Sequence, residues 1–278
     1  MVYRDRPVRR KRLRHAPMPY VDTHVHLDQE EFDADRGAVV ARSRRAGVEA
    51  MISVGISADS SQATLRLAET YGEVYAAVGI QPNHCAQAAA DDWQRIVALA
   101  EHPRVVALGE TGLDRYWDFT PFDLQQEYFD RHLRLAAGRN LPVVIHCRQA
   151  EADLLPMLRA AADRGSLRGV LHAFSGDAAM VSACLDLGLY VSLAGMVTYK
   201  NKKFQPLREA AAAVPDDRIL IETDSPYLVP EPLRGKQKRN EPANVAHTAG
   251  CLAGLRGVSL GELAAQTAAN ARRLFGLA

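Results

Sequence analysis

A (β/α)8 barrel, the TIM-barrel class of α/β fold, is predicted from three observations. Eight short apolar runs succeed one another from residue 20 onward, amphipathic segments separate them, and 278 residues suit eight such units. A doubly wound sheet shows about five or six strands and a glycine-rich phosphate turn near its start, and no GxGxxG or Walker loop occurs here. The runs predicted as strands are 20–23, 50–54, 74–78, 105–108, 142–145, 169–171, 189–193 and 218–221. Helices are predicted at 36–46, 60–71, 123–139, 151–164, 178–187 and 204–214, with Gly47, Gly72, Gly138, Gly165 and Gly188 at their stops. A last helix, 260–275, is expected on the barrel exterior. No low-complexity linker follows Pro19, so 20–278 reads as one barrel domain and 1–19 as a basic, flexible arm.

Composition narrows the classes. With 47% hydrophobic and 24% charged residues, the chain is not disordered throughout. No apolar stretch reaches the roughly 20 residues of a membrane helix, and no signal segment opens the chain, so no membrane partner is expected. Cys85, Cys147, Cys184 and Cys251 are scattered without a CxxC pair, which suggests neither a disulfide framework nor a cysteine-built zinc site and fits the cytoplasm. The net charge of +1 hides an asymmetry. Seven basic residues oppose only Asp5 in the first 14, so the remainder is net acidic and a nucleic-acid role would need local basic loops. The arm itself reads as a solvated tail or as a phosphate contact.

The chemistry concentrates at predicted strand ends. His24 and His26 sit at i and i+2, which face the same side of a strand, so both imidazoles can reach one cation at the barrel mouth. Glu110, His146, His172 and Asp224 follow the fourth, fifth, sixth and eighth predicted strands, and in this fold those ends converge. Each has a bland reading: Glu110 as a cap or ion pair, the histidines as hydrogen-bonded core residues, Asp224 as a turn residue before Pro226. Four imidazoles and two carboxylates exceed what one catalytic ion needs and fill two divalent ions sharing a carboxylate. The donor types leave zinc, manganese and magnesium open.

Longer blocks carry a resemblance over residues 20–275. They are Val21-Asp22-Thr23-His24-Val25-His26-Leu27-Asp28, Gly109-Glu110-Thr111-Gly112-Leu113-Asp114, Val144-Ile145-His146-Cys147-Arg148, His172-Ala173-Phe174-Ser175-Gly176 and Glu222-Thr223-Asp224-Ser225-Pro226-Tyr227-Leu228. In these blocks the chain resembles the TatD-type metal-dependent deoxyribonucleases. The resemblance implies one ion on His24, His26, Glu110 and Asp224, and a second on Glu110, His146 and His172, with Glu110 as the bridge. It also implies exonuclease action on single-stranded DNA, or RNA, while the six-donor constellation itself predicts hydrolysis by metal-activated water with Glu110 and Asp224 as the catalytic carboxylates. Two departures from the family pattern concern substrate: Gln81 and Asn83 stand where histidines are common, and the basic run from Arg234 to Asn240 carries two extra residues.

Substrate contacts are expected from Lys200, Lys202 and Lys203, from Arg234, Lys236, Lys238 and Arg239, and from Arg148 as a bidentate phosphate ligand. His84 is a further candidate. Tyr116 and Trp117 are expected to stack on bases, whereas Phe119 and Phe174 read as core. Two rivals remain. One is a metal-dependent deacylase or amidohydrolase acting on an aminoacyl nucleic acid; related barrels often bridge their ions with a carbamylated lysine, where this chain offers Glu110. The other is a non-catalytic nucleic-acid-binding protein that uses the arm.

Overall fold

The computed structural model describes residues 18–165 and 167–277. The basic segment 1–17, to which most of the expected arm belongs, lies outside the described residues; Met18 is partly buried against the outer core.

Eight parallel strands follow one another around a nearly closed barrel: β1 (Tyr20–Val25), β2 (Val48–Val54), β3 (Val74–Val78), β4 (Val105–Asp114), β5 (Val143–Arg148), β6 (Gly169–Leu171), β7 (Tyr190–Leu193) and β8 (Ile219–Ile221). A bridge between Val25 and Ser225 joins the first strand to the segment after the last. Helices α1 (Arg36–Arg45), α2 (Ala58–Thr70), α3 (Asp92–Leu99), α4 (Phe122–Arg139), α5 (Glu151–Arg164), α6 (Ala178–Asp186), α7 (Gln205–Ala213), α8 (Val245–Arg256) and α9 (Leu260–Phe275) lie between and after the strands, with short 3-10 turns in the connections. None is long and apolar enough to cross a membrane.

Strand alternation builds two cores. Ile52, Ala77, Val144, Val170 and Leu220 belong to the cluster filling the barrel, while their neighbours Met51, Ala76, Ile145, Leu171 and Ile221 belong to the cluster beneath the helices. His146 and His172 lie two residues beyond Val144 and Val170, so the same phase that packs the interior points both imidazoles into the mouth.

Several elements differ from the sequence reading. The fourth strand does not stop at 108. Its pairing with β5 passes from Leu108↔Val143 to Thr111↔Ile145, a one-residue bulge at 109–110, and then continues to Asp114. Helices α3 and α8 were not among the predicted stretches; α8 carries Gly250 and Gly254 within it, which blurs its apolar stripe. Gly138 is inside α4, and Asn140, at φ 53°, takes the left-handed position that ends the helix. Helix α9 is not merely external. Leu263 and Ala264 join the outer cluster, but Ala268, Ala271, Leu274 and Phe275 join the barrel-filling one.

Candidate metal centre

Five chain segments deliver the six donors. His24 is near the end of β1 and His26 one residue past it; Glu110 occupies the β4 bulge; His146 is within β5; His172 directly follows β6; Asp224 lies three residues beyond β8. The bulge explains Glu110, because an extra residue re-aims a side chain that regular alternation would misplace. Gly112 secures the same stretch: its φ is +137°, and a Cβ there would meet the His146 carbonyl oxygen at 2.0 Å. Asp224 has φ 52°, uncommon for a residue with a side chain, and hydrogen bonds from Asp224 N to His24 O (2.9 Å) and His26 N to Ser225 O (2.8 Å) hold it there.

The donor atoms form two sets that share Glu110. In the first, His24 Nε2 and His26 Nε2 are 3.1 Å apart, Glu110 Oε2 is 3.6 and 3.7 Å from them, and Asp224 Oδ1 is 3.7 and 3.5 Å from them. Four ligands at about 2.1 Å around a tetrahedral ion stand about 3.4 Å apart. These five distances are of that order, and two imidazole nitrogens 3.1 Å apart can share only one hydrogen. In the second set, Glu110 Oε1 is 2.8 Å from His146 Nδ1 and 3.1 Å from His172 Nε2, and the two nitrogens are 3.4 Å apart. Three donors make one face of a polyhedron, and its remaining positions can face the cavity. The groups His24, His26 and Asp224 and Glu110, His146 and His172 could each hold a metal ion.

Charges and hydrogen bonds support this arrangement. Burial opposes ionisation of Glu110, but the charge on His172 and hydrogen bonds from His146, His172 and His24 outweigh it and hold the carboxyl well below its usual range. Burial likewise disfavours a proton on His26, yet the Asp224 hydrogen bond and the Asp224 and Glu110 charges lift it to about 9. Burial and the neighbouring His172 charge lower His24.

The sequence reading passed over the residues that brace the donors. Asp114 Oδ2 meets His146 Nε2 at 3.0 Å and accepts from Asn83 Nδ2 at 3.0 Å, while its Oδ1 accepts from the Tyr116 and Trp117 amides. A carboxylate on the far nitrogen fixes which imidazole nitrogen faces the ion. Burial would raise Asp114, but the His146 and Asn83 hydrogen bonds bring it to about 2. Glu222 stands 3.5 Å from His172 Nδ1 and accepts from Ala173 N. His26 Nδ1 is 2.8 Å from the Val54 carbonyl, so its proton faces away from the first set. A usable signal existed for Asp114: it falls two residues before an aromatic pair, inside the same motif as Glu110.

The residues expected to touch substrate divide. Trp117, Arg148 and His84 line a cavity of about 600 Å³ together with His26, Glu110, His146, His172 and Asp224. Tyr116 is exposed at its edge with the Arg148 guanidinium 3.7 Å over its ring. Lys200, Lys202 and Lys203 are exposed beyond β7. Arg239 does not extend to the mouth: it binds both Asp35 carboxylate oxygens and the Glu31 carbonyl, because the β8 loop folds back over the loop before α1. Phe174 is buried as expected, but Phe119 is 56% exposed and stacks on Trp117, since the loop after β4 carries both out over the rim.

Barrel and donor sets define a metal-dependent hydrolase. The family model described as TatD related DNase matches residues 21–276. An uncharacterized metal-dependent hydrolase of Bacillus subtilis, YabD, is 39% identical over 254 residues, covering 91% of this chain and 98% of the relative. A protein named 3'-5' ssDNA/RNA exonuclease TatD from Citrobacter koseri is 39% identical over 260 residues, covering 92% and 99%. The crystal structure of the Escherichia coli TatD homolog YJJV superposes with a TM-score of 0.87 at 30% identity, covering 95% of this chain and all of that one. The chain belongs to the TatD related DNase family.

Proposed function

We propose that this protein is a two-metal exonuclease that removes nucleotides from the 3' end of single-stranded DNA or RNA. The observation that carries this reading is the division of Glu110, with Oε2 toward His24 and His26, which Asp224 also meets, and Oε1 toward His146 and His172. Such a carboxylate would serve two divalent ions, the pairing that assists displacement at phosphorus. Zinc, manganese or magnesium held by these residues would supply charge neutralisation at the phosphoryl group and a water acidified for attack. Asp224, part of the first set and open to the cavity, orients the attacking water and receives its proton. Asp114 keeps His146 turned toward Glu110. Arg148, His84, Tyr116, Trp117, Lys200, Lys202 and Lys203 contact the strand. The 3' direction follows from what the Citrobacter koseri relative's name says of that protein. The domain reading remains a basic arm ahead of one catalytic barrel, and four free cysteines suit the reducing cytoplasm.

The test is a 5'-labelled single-stranded oligonucleotide incubated with metal-loaded protein. A ladder shortening from the 3' end is expected, abolished by chelator and restored by divalent ion. Full turnover by Glu110→Ala, or turnover indifferent to chelator, contradicts the reading.

A further inference from the structure

The mouth of the barrel is chemically two-sided. Strands β4 and β8 stand four apart in the barrel order, so the loops beyond them face each other across the metal centre. Above β4 and β5 the surface is aromatic: Tyr116, Trp117 and Phe119 are 48%, 42% and 56% exposed, and the Trp117 and Phe119 rings stack at 5.2 Å with a 12° interplanar angle. That side offers Arg148, which forms no ion pair among the described residues, whereas its neighbour Arg115 is bound to Asp153. The Arg148 Cζ lies 3.7 Å from the Tyr116 ring centroid, and no carboxylate among the described residues competes for its N–H groups. Above β7 and β8 the surface is mainly cationic, with one exposed aromatic, Tyr227, lining the cavity beside His26. Lys200, Lys202, Lys203, Arg234, Lys236 and Lys238 are all exposed, and none is ion-paired among the described residues.

We propose that a single strand crosses this mouth in one orientation. The nucleotide to be removed lies over β4 and β5, its base on the Trp117–Phe119 wall and its phosphate against Arg148, while the retained strand leaves over the β7–β8 rim. The inference rests on the phosphodiesterase reading and assigns its subsites. The charge inventory decides the direction. A departing nucleotide brings one base and one phosphate, matching one aromatic wall and one unpaired arginine. The retained strand brings many phosphates and any sequence, matching a field of six exposed cations.

The test uses the full, manganese-loaded chain with a dinucleotide, a 12-nucleotide single strand and the same strand ending in an abasic sugar. For the unaltered protein, KM is expected to fall with length and to grow salt-sensitive with it. The variant Lys200→Ala/Lys202→Ala/Lys203→Ala should erase that advantage, raising KM for the 12-nucleotide strand about tenfold toward the dinucleotide value and flattening its salt dependence. The variant Trp117→Ala/Phe119→Ala should lower kcat/KM about tenfold on both lengths, keep the length advantage, and show no further loss on the abasic end. The reversed pattern overturns the proposal: aromatic substitution costing only the longer strand, or lysine substitution costing both lengths equally. If the unaltered protein cuts neither substrate, the phosphodiesterase reading falls as well, which separates that failure from a wrong assignment of sides.

Discussion

The two donor sets that meet at Glu110 are built differently. The set of His24, His26 and Asp224 gains a fourth atom from Glu110 Oε2 and is braced by backbone: the Val54 carbonyl holds His26, and paired amide bonds tie residues 24–26 to 224–225. The set of His146 and His172 has three atoms with Glu110 Oε1, its more accessible member His146 is 16% exposed, and a side chain, Asp114, braces it. Four protein donors close a tetrahedral site, whereas three leave room for water and substrate. With more protein donors in reach, the first set would hold an ion more tightly, and the second would keep the more exchangeable position.

Substitution of the shared residue has the largest expected effect. Glu110→Ala should leave fewer than two ions per chain by elemental analysis and lower hydrolysis by about a thousandfold, several kcal/mol of transition-state stabilisation. Two ions retained in that variant would break the comparison at its hinge. The next effect separates the sets. His146→Ala should keep one chelator-resistant ion, while His26→Ala should lose that resistance; equal behaviour of the two variants in a chelator time course means the sets do not differ.

Asp114→Asn is expected to act more mildly. With its brace on His146 weakened, metal affinity should fall by about ten- to a hundredfold at the second position only, read by metal titration. The smallest effect is in the pH dependence. His26 is lifted to about 9 in the metal-free fold, above its unfolded value, so the stability it contributes is full below the unfolded pKa and is lost as pH rises through 9. His146 and His172 are shifted in the same direction, their hydrogen bonds and nearby carboxylate charge outweighing burial. The melting temperature of metal-free protein should therefore fall between pH 6.5 and 9. The loaded protein should not follow, because binding displaces those protons. Parallel curves would show that the histidines do not share their protons with the ions.

Much of this was legible in the sequence because period and position coincide. Inward alternation on strands 5 and 6 carries directly into His146 and His172, so marking the strand ends also marks the donors. Glu110 was found but misplaced, since a bulge leaves no trace in a period-two pattern. Arg239 was assigned to substrate because nothing local to it reveals Asp35, about 200 residues earlier in the chain, as its partner. Phe119 was assigned to the core because composition favours burying a phenylalanine; only the course of the loop shows that Trp117 is its partner over the rim. Asp114 and Asn83 escaped for a similar reason. Their roles consist of contacts between loops after different strands, which no single segment encodes.

The most direct measurement is anomalous diffraction from crystals grown with manganese. Two peaks are expected on either side of the Glu110 carboxylate, one among His24, His26 and Asp224 and the other beside His146 and His172, with the second weakening first when manganese is withdrawn. A single peak, or both Glu110 oxygens on one ion, would contradict the shared-carboxylate centre.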